Sequence, residues 1–259
     1  MENNIILQAV KINKIFKLEK GPFFSAKVFS SAVDSADLTL HRGEVLGIAG
    51  ESGSGKTTLS KIMAGLESAT SGKIFIDGKG IETYSRKSLA SKVQMIFQDP
   101  FSSLNPKLSV GIVLSEAVRL YSAPADIQSS VAALLRIVGL NEGFIRQYPH
   151  QLSGGQRQRV AIARTLAVKP EIIIADEPVS SLDVSVQAQI MNTFLDMKEK
   201  FGLSYIFISH DLRLLSAVCD RVVVMKEGKI VESGMAIEIL NNPRHEYTKN
   251  LVKAVTTFL

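Results

Sequence analysis

Runs of apolar residues alternate with amphipathic segments along much of the chain, and this pattern predicts strands separated by helices. Four runs are apolar enough for strands that are covered on both faces: Val45–Ala49, Val93–Phe97, Ile172–Ala175 and Leu203–Ile208. A long helix is predicted between Asp183, a residue suited to cap its start, and Gly202, a residue suited to end it. Strands that alternate with helices form a parallel sheet, so we predict an α/β protein.

Two regions depart from this alternation. Residues 5–43 predict short strands joined by turns, with an irregular loop over 17–31, and Asp77-Gly78 predicts a hairpin within 74–81. Antiparallel strands should therefore flank the core. Residues 99–158 predict a helical insertion between two halves of the sheet domain. We thus predict a core of 1–98 and 159–240 that includes the antiparallel strands, a helical subdomain of 99–158 and a C-terminal tail of 241–259.

The first apolar run leads into Gly50–Thr57, which matches the phosphate-binding pattern G-x-x-x-x-G-K-[ST] at every specified position. A helix predicted from Lys56 to Ala64 completes the strand–loop–helix setting that this pattern needs. The glycines allow backbone N–H groups to surround a polyphosphate, Lys56 can reach the β- and γ-phosphates, and the Thr57 hydroxyl can bind Mg²⁺. The predicted nucleotide-binding residues of this segment are Gly50, Glu51, Ser52, Gly53, Ser54, Gly55, Lys56, Thr57 and Thr58.

Polar side chains follow the other three apolar runs: Gln98, the pair Asp176-Glu177, and His210. Ligands of a parallel sheet bind beyond the carboxyl ends of its strands, so we expect these residues to gather beside the phosphates. Asp176 suits Mg²⁺, directly or through its waters, and Glu177 can accept a proton from an attacking water. Gln98 can orient that water or touch the metal, and His210 can reach the γ-phosphate or fix the water.

Composition and charge limit the partners and the compartment expected for this protein. A net charge of +5, from 30 basic and 25 acidic residues without a long basic run, does not indicate nucleic acid as a partner. The single cysteine, Cys219, excludes an internal disulfide and suits a reducing compartment. The chain opens without the basic and apolar segments of a signal peptide, and no apolar run approaches the ~20 residues that span a bilayer. A membrane role would therefore come through a partner.

Together these motifs resemble the nucleotide-binding subunit of an ABC transporter over nearly the whole chain. The segments that match the family's motifs are Gly50–Thr57 as Walker A, Gln98 as the Q-loop glutamine, Leu152–Gln156 as the signature motif, Ile172–Asp176 as Walker B, Glu177 as the catalytic glutamate, Ser181–Asp183 as the D-loop and His210 as the switch histidine. The resemblance implies a P-loop NTPase of the ABC ATPase type, with a RecA-like parallel sheet core, an antiparallel β subdomain and a helical subdomain.

The resemblance also implies partners. Two such domains pack head to tail, and the signature residues of one, Ser153, Gly154, Gly155 and Gln156, then contact the ATP held by the other. Asp183 joins the nucleotide site through the matched D-loop. The cofactors implied are ATP and Mg²⁺. Two transmembrane permeases and an extracytoplasmic substrate-binding protein would complete the assembly at the cytoplasmic face of the cell (inner) membrane.

An aromatic residue before Walker A stacks on adenine in this family. Phe16 is the best match, and Phe24 and Phe29 remain alternatives, because the inserted loop makes the alignment with the family ambiguous here. The segment Lys20–Phe24 of that loop resembles the second of the two ATPase subunits that the importers described next carry.

A finer resemblance is to importers of oligopeptides, dipeptides and nickel. It covers Phe97–Pro106 and the tail segment Pro243–Thr248. The chain ends at Leu259 without the cysteine-containing extension of many peptide importers, which gives a slight preference for nickel or a metal chelate over peptides. Two other classes of protein fit the sequence less well. A soluble ABC ATPase of translation or DNA repair would carry two cassettes or long coiled coils, and a P-loop kinase would have no use for the signature motif.

Overall fold

The computed structural model describes residues 4–18, 28–99, 104–121 and 126–256. The chain divides into two compact units, which we call the first unit (Met1–Ser85 with Ile206–Leu259) and the second unit (Arg86–Tyr205). The domain boundaries predicted from the sequence remain a prediction. Within the described residues, no helix is both long enough and apolar enough to cross a membrane.

The elements follow one another as the alternating pattern predicts. The strands are β1 (Ile5–Leu18), β2 (Val28–His41), β3 (Val45–Ala49), β4 (Ser71–Ile76), β5 (Lys79–Gly80), β6 (Val93–Ile96), β7 (Ile172–Asp176), β8 (Ser204–Ser209), β9 (Arg221–Lys226) and β10 (Lys229–Met235). The helices are α1 (Lys56–Met63), α2 (Arg86–Ala90), α3 (Val110–Tyr121), α4 (Ile127–Ile137), α5 (Gly154–Leu166), α6 (Val184–Phe201), α7 (Leu212–Val218), α8 (Ala236–Asn241) and α9 (Glu246–Thr256). Short 3₁₀ turns cover Ile81–Thr83, Glu142–Arg146 and Pro149–Gln151.

An antiparallel sheet of order β2-β1-β4-β5 lies in the first unit. The prediction of short strands with turns over residues 5–43 was wrong, because β1 and β2 are each 14 residues long. Register shifts between the two strands absorb the segments that resembled turns, and Lys11 and Ser35 take positive φ near them. The predicted loop over 17–31 was wrong at both ends, and residues 19–27 lie outside the described residues.

The same unit contains the strand that leads into the phosphate loop. β3 runs parallel to β9, and β9 pairs antiparallel with β10 through a hairpin at Glu227-Gly228. Every residue of β3 is buried, as its unbroken apolar sequence predicts. The residues of β8 from Ile206 onward also belong to this unit, and β8 is the other neighbour of β3 in the sheet.

The second unit combines a parallel strand pair with helices. β6 pairs in parallel with β7, and both supply apolar side chains to the core. α3 and α4 follow in the region predicted to be helical, and Gly139 takes a φ of 72° just after α4, as a C-terminal cap requires. Asp183 caps α6, and Gly202 ends it with a φ of 65°. Parallel core strands, separate antiparallel strands and intervening helices confirm the predicted α/β class.

Candidate nucleotide-binding site

The phosphate loop adopts a conformation that its glycines make possible. Gly50, Gly53 and Gly55 all have positive φ, at 150°, 82° and 101°. A Cβ on Gly55 would lie 2.2 Å from the carbonyl oxygen of Ala32, and a Cβ on Gly50 would lie 2.3 Å from that of Met225. These two positions therefore require glycine for space as well as for backbone conformation. At Gly53 a Cβ would meet nothing within 4 Å, so that side of the loop is open.

Lys56 is held inside this loop. Its side chain is 5% exposed, and its Nζ donates to the carbonyl oxygens of Gly50, at 2.8 Å, and Glu51, at 2.7 Å. No side chain of the described residues caps the start of α1, so its first N–H groups face the loop. A cationic side chain and helix N–H groups around an open glycine turn fit a polyphosphate. Thr57, the next residue, is exposed and has the hydroxyl that a phosphate-bound metal uses.

Neighbouring segments of the first unit hold the loop from outside. The Gly228 N–H donates to the carbonyl oxygen of Ser54 at 3.0 Å. The Glu51 N–H donates to the phenol oxygen of Tyr247 at 2.9 Å. No pattern in the sequence assigns Gly228 or Tyr247 to the phosphate loop, because both lie far along the chain from it and match no phosphate-binding motif.

Two predicted catalytic residues meet in the second unit. The Gln98 side-chain amide, after β6, donates to a Glu177 carboxylate oxygen, after β7, at 2.9 Å. Glu177 has a φ of 45°, a left-handed conformation that costs a residue with a Cβ roughly 1–2 kcal/mol. Backbone strain of this kind is often found at functional sites. The structure thus brings together an amide and a carboxylate that could orient and deprotonate a water molecule.

The other predicted site residues also lie at the ends of β7 and β8. Asp176, the last residue of β7, is 5% exposed, whereas Glu177 is half-buried. His210 follows β8 and is exposed. Lys56, Thr57 and His210 belong to the first unit, and Gln98, Asp176 and Glu177 to the second. Their predicted assembly around one nucleotide remains a prediction.

The matched signature segment starts α5 with a reciprocal cap. The Gln156 N–H donates to the Ser153 hydroxyl at 3.3 Å, and the Ser153 N–H donates to the Gln156 side-chain oxygen at 2.9 Å. Ser153 is exposed. A Cβ on Gly155 would lie 2.6 Å from Cγ1 of Val186 in α6, so this glycine also permits close helix packing. The side chains of Ser153 and Gln156 therefore stabilise the start of α5, and the predicted contact of this segment with a second chain remains a prediction.

Asp183 is engaged in its own helix cap. Its carboxylate accepts hydrogen bonds from the Ser185 hydroxyl at 2.7 Å and the Val186 N–H at 2.9 Å. The Ser185 hydroxyl, followed by the Val186 N–H, holds the pKa of Asp183 below its usual value. Asp183 is thus an anion that orders the start of α6, and its predicted nucleotide contact remains a prediction.

Among the candidates for adenine stacking, Phe16 lies in β1 and is 38% exposed. The Lys14 ammonium lies 4.9 Å from its ring centroid. Phe29 lies in β2 and is 62% exposed, and Phe24 lies outside the described residues. Phe16 and Phe29 both have exposed ring surface that could contact a base, so the choice between them remains a prediction.

The donors that could hold Mg²⁺ are the Thr57 hydroxyl, the Asp176 carboxylate and the Gln98 side-chain oxygen. Oxygen donors of this kind suit Mg²⁺, which usually keeps several waters and binds phosphate oxygens. In the described part of the chain, no group of three or more His, Cys, Asp or Glu side chains could hold a metal ion by itself. The predicted ligands are thus chemically suited to Mg²⁺, and their assembly around one ion remains a prediction.

Known proteins that resemble this chain are ATP-binding proteins of ABC transporters. A family model described as ABC transporter matches residues 33–180. The dipeptide transport ATP-binding protein DppF of Escherichia coli (strain K12) is 41% identical over 254 residues, which are 96% of this chain and 76% of that protein. The oligopeptide transport ATP-binding protein OppF of Salmonella typhimurium is 42% identical over 262 residues, with 98% and 78% covered. OppF of Bacillus subtilis (strain 168) is 44% identical over 243 residues, with 91% and 80% covered.

Solved structures show the same fold. CbiO1 from Clostridium perfringens, part of the ABC transporter complex CbiONQ, aligns with a TM-score of 0.79 at 31% identity, covering 99% of this chain and 96% of that one. The ATP-binding cassette MJ0796, a dimer in a post-hydrolysis state bound to ADP and Pi, aligns with a TM-score of 0.78 at 28% identity, covering 89% of this chain and 99% of that one.

Fold and motifs together define a nucleotide-binding P-loop ATPase of the cassette type. The match over residues 33–180 and the identities above 40% then place it more closely. The chain belongs to the ABC transporter family.

Proposed function

We propose that this chain is the ATP-hydrolysing subunit of an ABC importer for peptides. The contact that supports hydrolysis most directly is the 2.9 Å hydrogen bond between the Gln98 amide and the Glu177 carboxylate. It places a potential general base beside a group that can orient water, directly after two parallel strands. The relatives described above are named for dipeptide and oligopeptide transport, which favours a transport ATPase over a non-transport ABC ATPase.

The first unit would bind the nucleotide. The open side of the loop at Gly53 and the N–H groups of α1 would receive the phosphates, while Lys56 would exchange its bonds to the Gly50 and Glu51 carbonyl oxygens for phosphate oxygens. Lys56 is already buried among acceptors, so its charge does not have to be desolvated anew when ATP binds. Phe16 is the residue we propose for adenine stacking.

The second unit would supply the groups that act on water. Glu177 would accept its proton, and Gln98 would hold both the carboxylate and the water in position. Thr57, Asp176 and Gln98 would hold Mg²⁺, which neutralises the charge that develops on the phosphates. His210 would stabilise the γ-phosphate. The strain at Glu177 fits a carboxylate whose direction is set by the backbone rather than by its lowest-energy conformation.

A second ATPase subunit would complete the site. The exposed Ser153 and the first turn of α5 form a helix N-terminus that can bind the γ-phosphate held by a partner. We propose a head-to-tail dimer of this chain with a homologous subunit, attached to two permeases and served by an extracytoplasmic binding protein. The chain would then lie at the cytoplasmic face of the membrane, held there by the permeases.

The Glu177→Gln variant tests hydrolysis. It keeps the hydrogen bond to Gln98 but removes the base, so we expect ATP turnover to fall at least a hundredfold while ATP-dependent dimerisation persists. Turnover is measured by phosphate release, and dimerisation by size-exclusion chromatography with and without ATP. Glu199→Gln, an exposed carboxylate of α6, is the matched control and should retain turnover. Normal turnover in Glu177→Gln would refute the assignment of the base.

Cargo can be tested in cells. The relatives described above are named for dipeptide and oligopeptide transport, and this supports peptides over the nickel or metal chelate that the sequence analysis slightly preferred. Cells whose only copy carries Glu177→Gln should lose uptake of radiolabelled di- and oligopeptides and retain uptake of ⁶³Ni²⁺. The opposite pattern would replace peptides by a metal cargo, and co-purification with ribosomes or DNA instead of permeases would refute the transport function.

A further inference from the structure

The C-terminal tail contacts the phosphate loop directly. The phenol oxygen of Tyr247, in the first turn of α9, accepts a hydrogen bond from the Glu51 N–H at 2.9 Å. Glu51 is the second residue of the phosphate loop and lies 196 positions away in sequence. Its N–H is therefore committed to the tail rather than to a phosphate. Both residues belong to the first unit.

Tyr247 is well fixed for this contact. It is 8% exposed and lies on the same buried face of α9 as Leu251, one turn further on. The Lys226 ammonium lies 5.2 Å from its ring centroid, within the range of a cation–π interaction. Burial raises the pKa of the Tyr247 phenol, so the hydroxyl is neutral at physiological pH. A neutral phenol oxygen is a suitable acceptor for a backbone N–H.

The start of the tail helix is itself held by the body of the first unit. The Glu232 carboxylate, in β10, accepts hydrogen bonds from the N–H groups of Arg244 at 2.7 Å and His245 at 3.0 Å. The Tyr247 N–H donates to Nδ1 of His245 at 3.2 Å. A chain of hydrogen bonds thus runs from β10 through the first turn of α9 to the phosphate loop.

We infer that Tyr247 is a positioning residue for nucleotide binding, and that the tail segment Pro243–Thr248 clasps the phosphate loop in its binding conformation. The hydroxyl holds the loop at Glu51, directly beside Gly50 and the carbonyl oxygens to which Lys56 donates. When the hydroxyl is absent, the loop spends less time in the conformation that accepts phosphates, and the apparent affinity falls by the same fraction. The inference rests on the proposed function in that the ligand is a nucleoside triphosphate.

Tyr247→Phe removes the hydroxyl and keeps the ring. The matched control is Tyr84→Phe in the same unit, because the Tyr84 hydroxyl also makes one hydrogen bond with the backbone, to the Ile76 carbonyl oxygen at 2.9 Å. The full chain is used with AMP-PNP and Mg²⁺. Since one such bond is lost, we expect Tyr247→Phe to raise the Kd for AMP-PNP roughly three- to tenfold and Tyr84→Phe to change it less than twofold.

Hydrogen–deuterium exchange of residues 50–55 without nucleotide gives a second readout. Exchange at Glu51 should be about three- to tenfold faster in Tyr247→Phe and unchanged in Tyr84→Phe, although the two variants lose similar thermal stability. Glu232→Ala, which removes the acceptor at the start of α9, should accelerate Glu51 exchange as well. If the Tyr247 hydroxyl had a purely structural role, Tyr247→Phe would lower the Tm but would match Tyr84→Phe in its Kd for AMP-PNP and in its Glu51 exchange.

Equal Kd values for the two variants, or unchanged Glu51 exchange in Tyr247→Phe, would overturn the inference. The exchange experiment needs no nucleotide, so it decides the contact independently of the ligand. Failure of the wild-type chain to bind AMP-PNP would refute the proposed function instead.

Discussion

The glycine at position 155 should have a packing role that can be separated from any contact with ATP. A Cβ on Gly155 would lie 2.6 Å from Cγ1 of Val186, well inside the 3.5–4.0 Å of ordinary carbon contacts. Val186 is β-branched and lies in α6, where a helix leaves it essentially one χ1 rotamer. The Val186 methyl group therefore cannot rotate away at low energy, and Gly155→Ala must push α5 and α6 apart.

The cost can be estimated from this clash. Overpacking of a close contact costs about 1–3 kcal/mol, and the better helix propensity of alanine returns at most about 1 kcal/mol. A net loss of about 1–2 kcal/mol corresponds to a Tm lower by roughly 2–8 °C for a chain of this size. The matched control is Gly154→Ala, whose Cβ would lie 3.0 Å from Cδ2 of Leu182, the far end of a flexible side chain. It should lose less stability than Gly155→Ala.

A double-mutant cycle with Val186→Ala tests the cause. Removing the methyl groups of Val186 makes room for the new Cβ, so the double variant should regain at least half of the lost stability, a coupling of about 1 kcal/mol. Thermal unfolding followed by circular dichroism measures all four proteins. Strictly additive losses, or a Tm for Gly155→Ala no lower than that for Gly154→Ala, would refute the packing argument.

The double variant also separates stability from activity. In the proposed dimer, the N–H of residue 155 faces the γ-phosphate held by the partner, and an added methyl group obstructs that approach. We therefore expect the Gly155→Ala/Val186→Ala protein to recover at least half of the lost Tm while ATP turnover remains at least tenfold reduced. Recovery of turnover together with stability would mean that the glycine serves packing alone.

Two further predictions concern the second unit. Glu177→Gly should be more stable than Glu177→Ala by about 1 kcal/mol, roughly 2–4 °C in Tm, because only glycine takes a φ of 45° without a Cβ penalty. Thermal unfolding of the two variants measures this difference, and a higher Tm for Glu177→Ala would refute the backbone strain. For Asp183, whose pKa is lowered by the bonds from Ser185 and Val186, the stabilisation is complete above the unfolded pKa of about 3.9 and is lost as pH falls through the lower folded pKa. The Tm of the wild type should therefore fall relative to that of Asp183→Asn between about pH 4 and pH 2, and a constant offset across that range would contradict this reasoning.

Local patterns were sufficient to predict most of the fold. The apolar runs that become β3, β7 and β8 are buried along their whole length, because a strand that is apolar on both faces is stable only when both faces are covered. The caps of α6 at Asp183 and Gly202 were predictable because capping depends on residues only a few positions apart. The phosphate loop was predictable for the same reason.

Features that depend on distant segments were missed. The 14-residue strands β1 and β2 were taken for short strands with turns, since bulges that a partner strand tolerates resemble turns in a single sequence. The positive φ of Glu177 has no signal in the sequence, because glutamate rarely adopts it and only the surrounding fold imposes it. The contact of Tyr247 with Glu51 joins residues 196 positions apart.

The conformation of the phosphate loop depends on residues that are distant from it in sequence. Its glycines allow the required backbone angles, but flexible residues also allow many others, and the same freedom lowers the fraction of time in the binding conformation. Ala32 and Met225 press against the loop where Gly55 and Gly50 lack a Cβ, and the Gly228 N–H and the Tyr247 hydroxyl bond to its backbone. The motif therefore specifies what the loop can bind, whereas residues outside the motif determine how often the loop is ready to bind it.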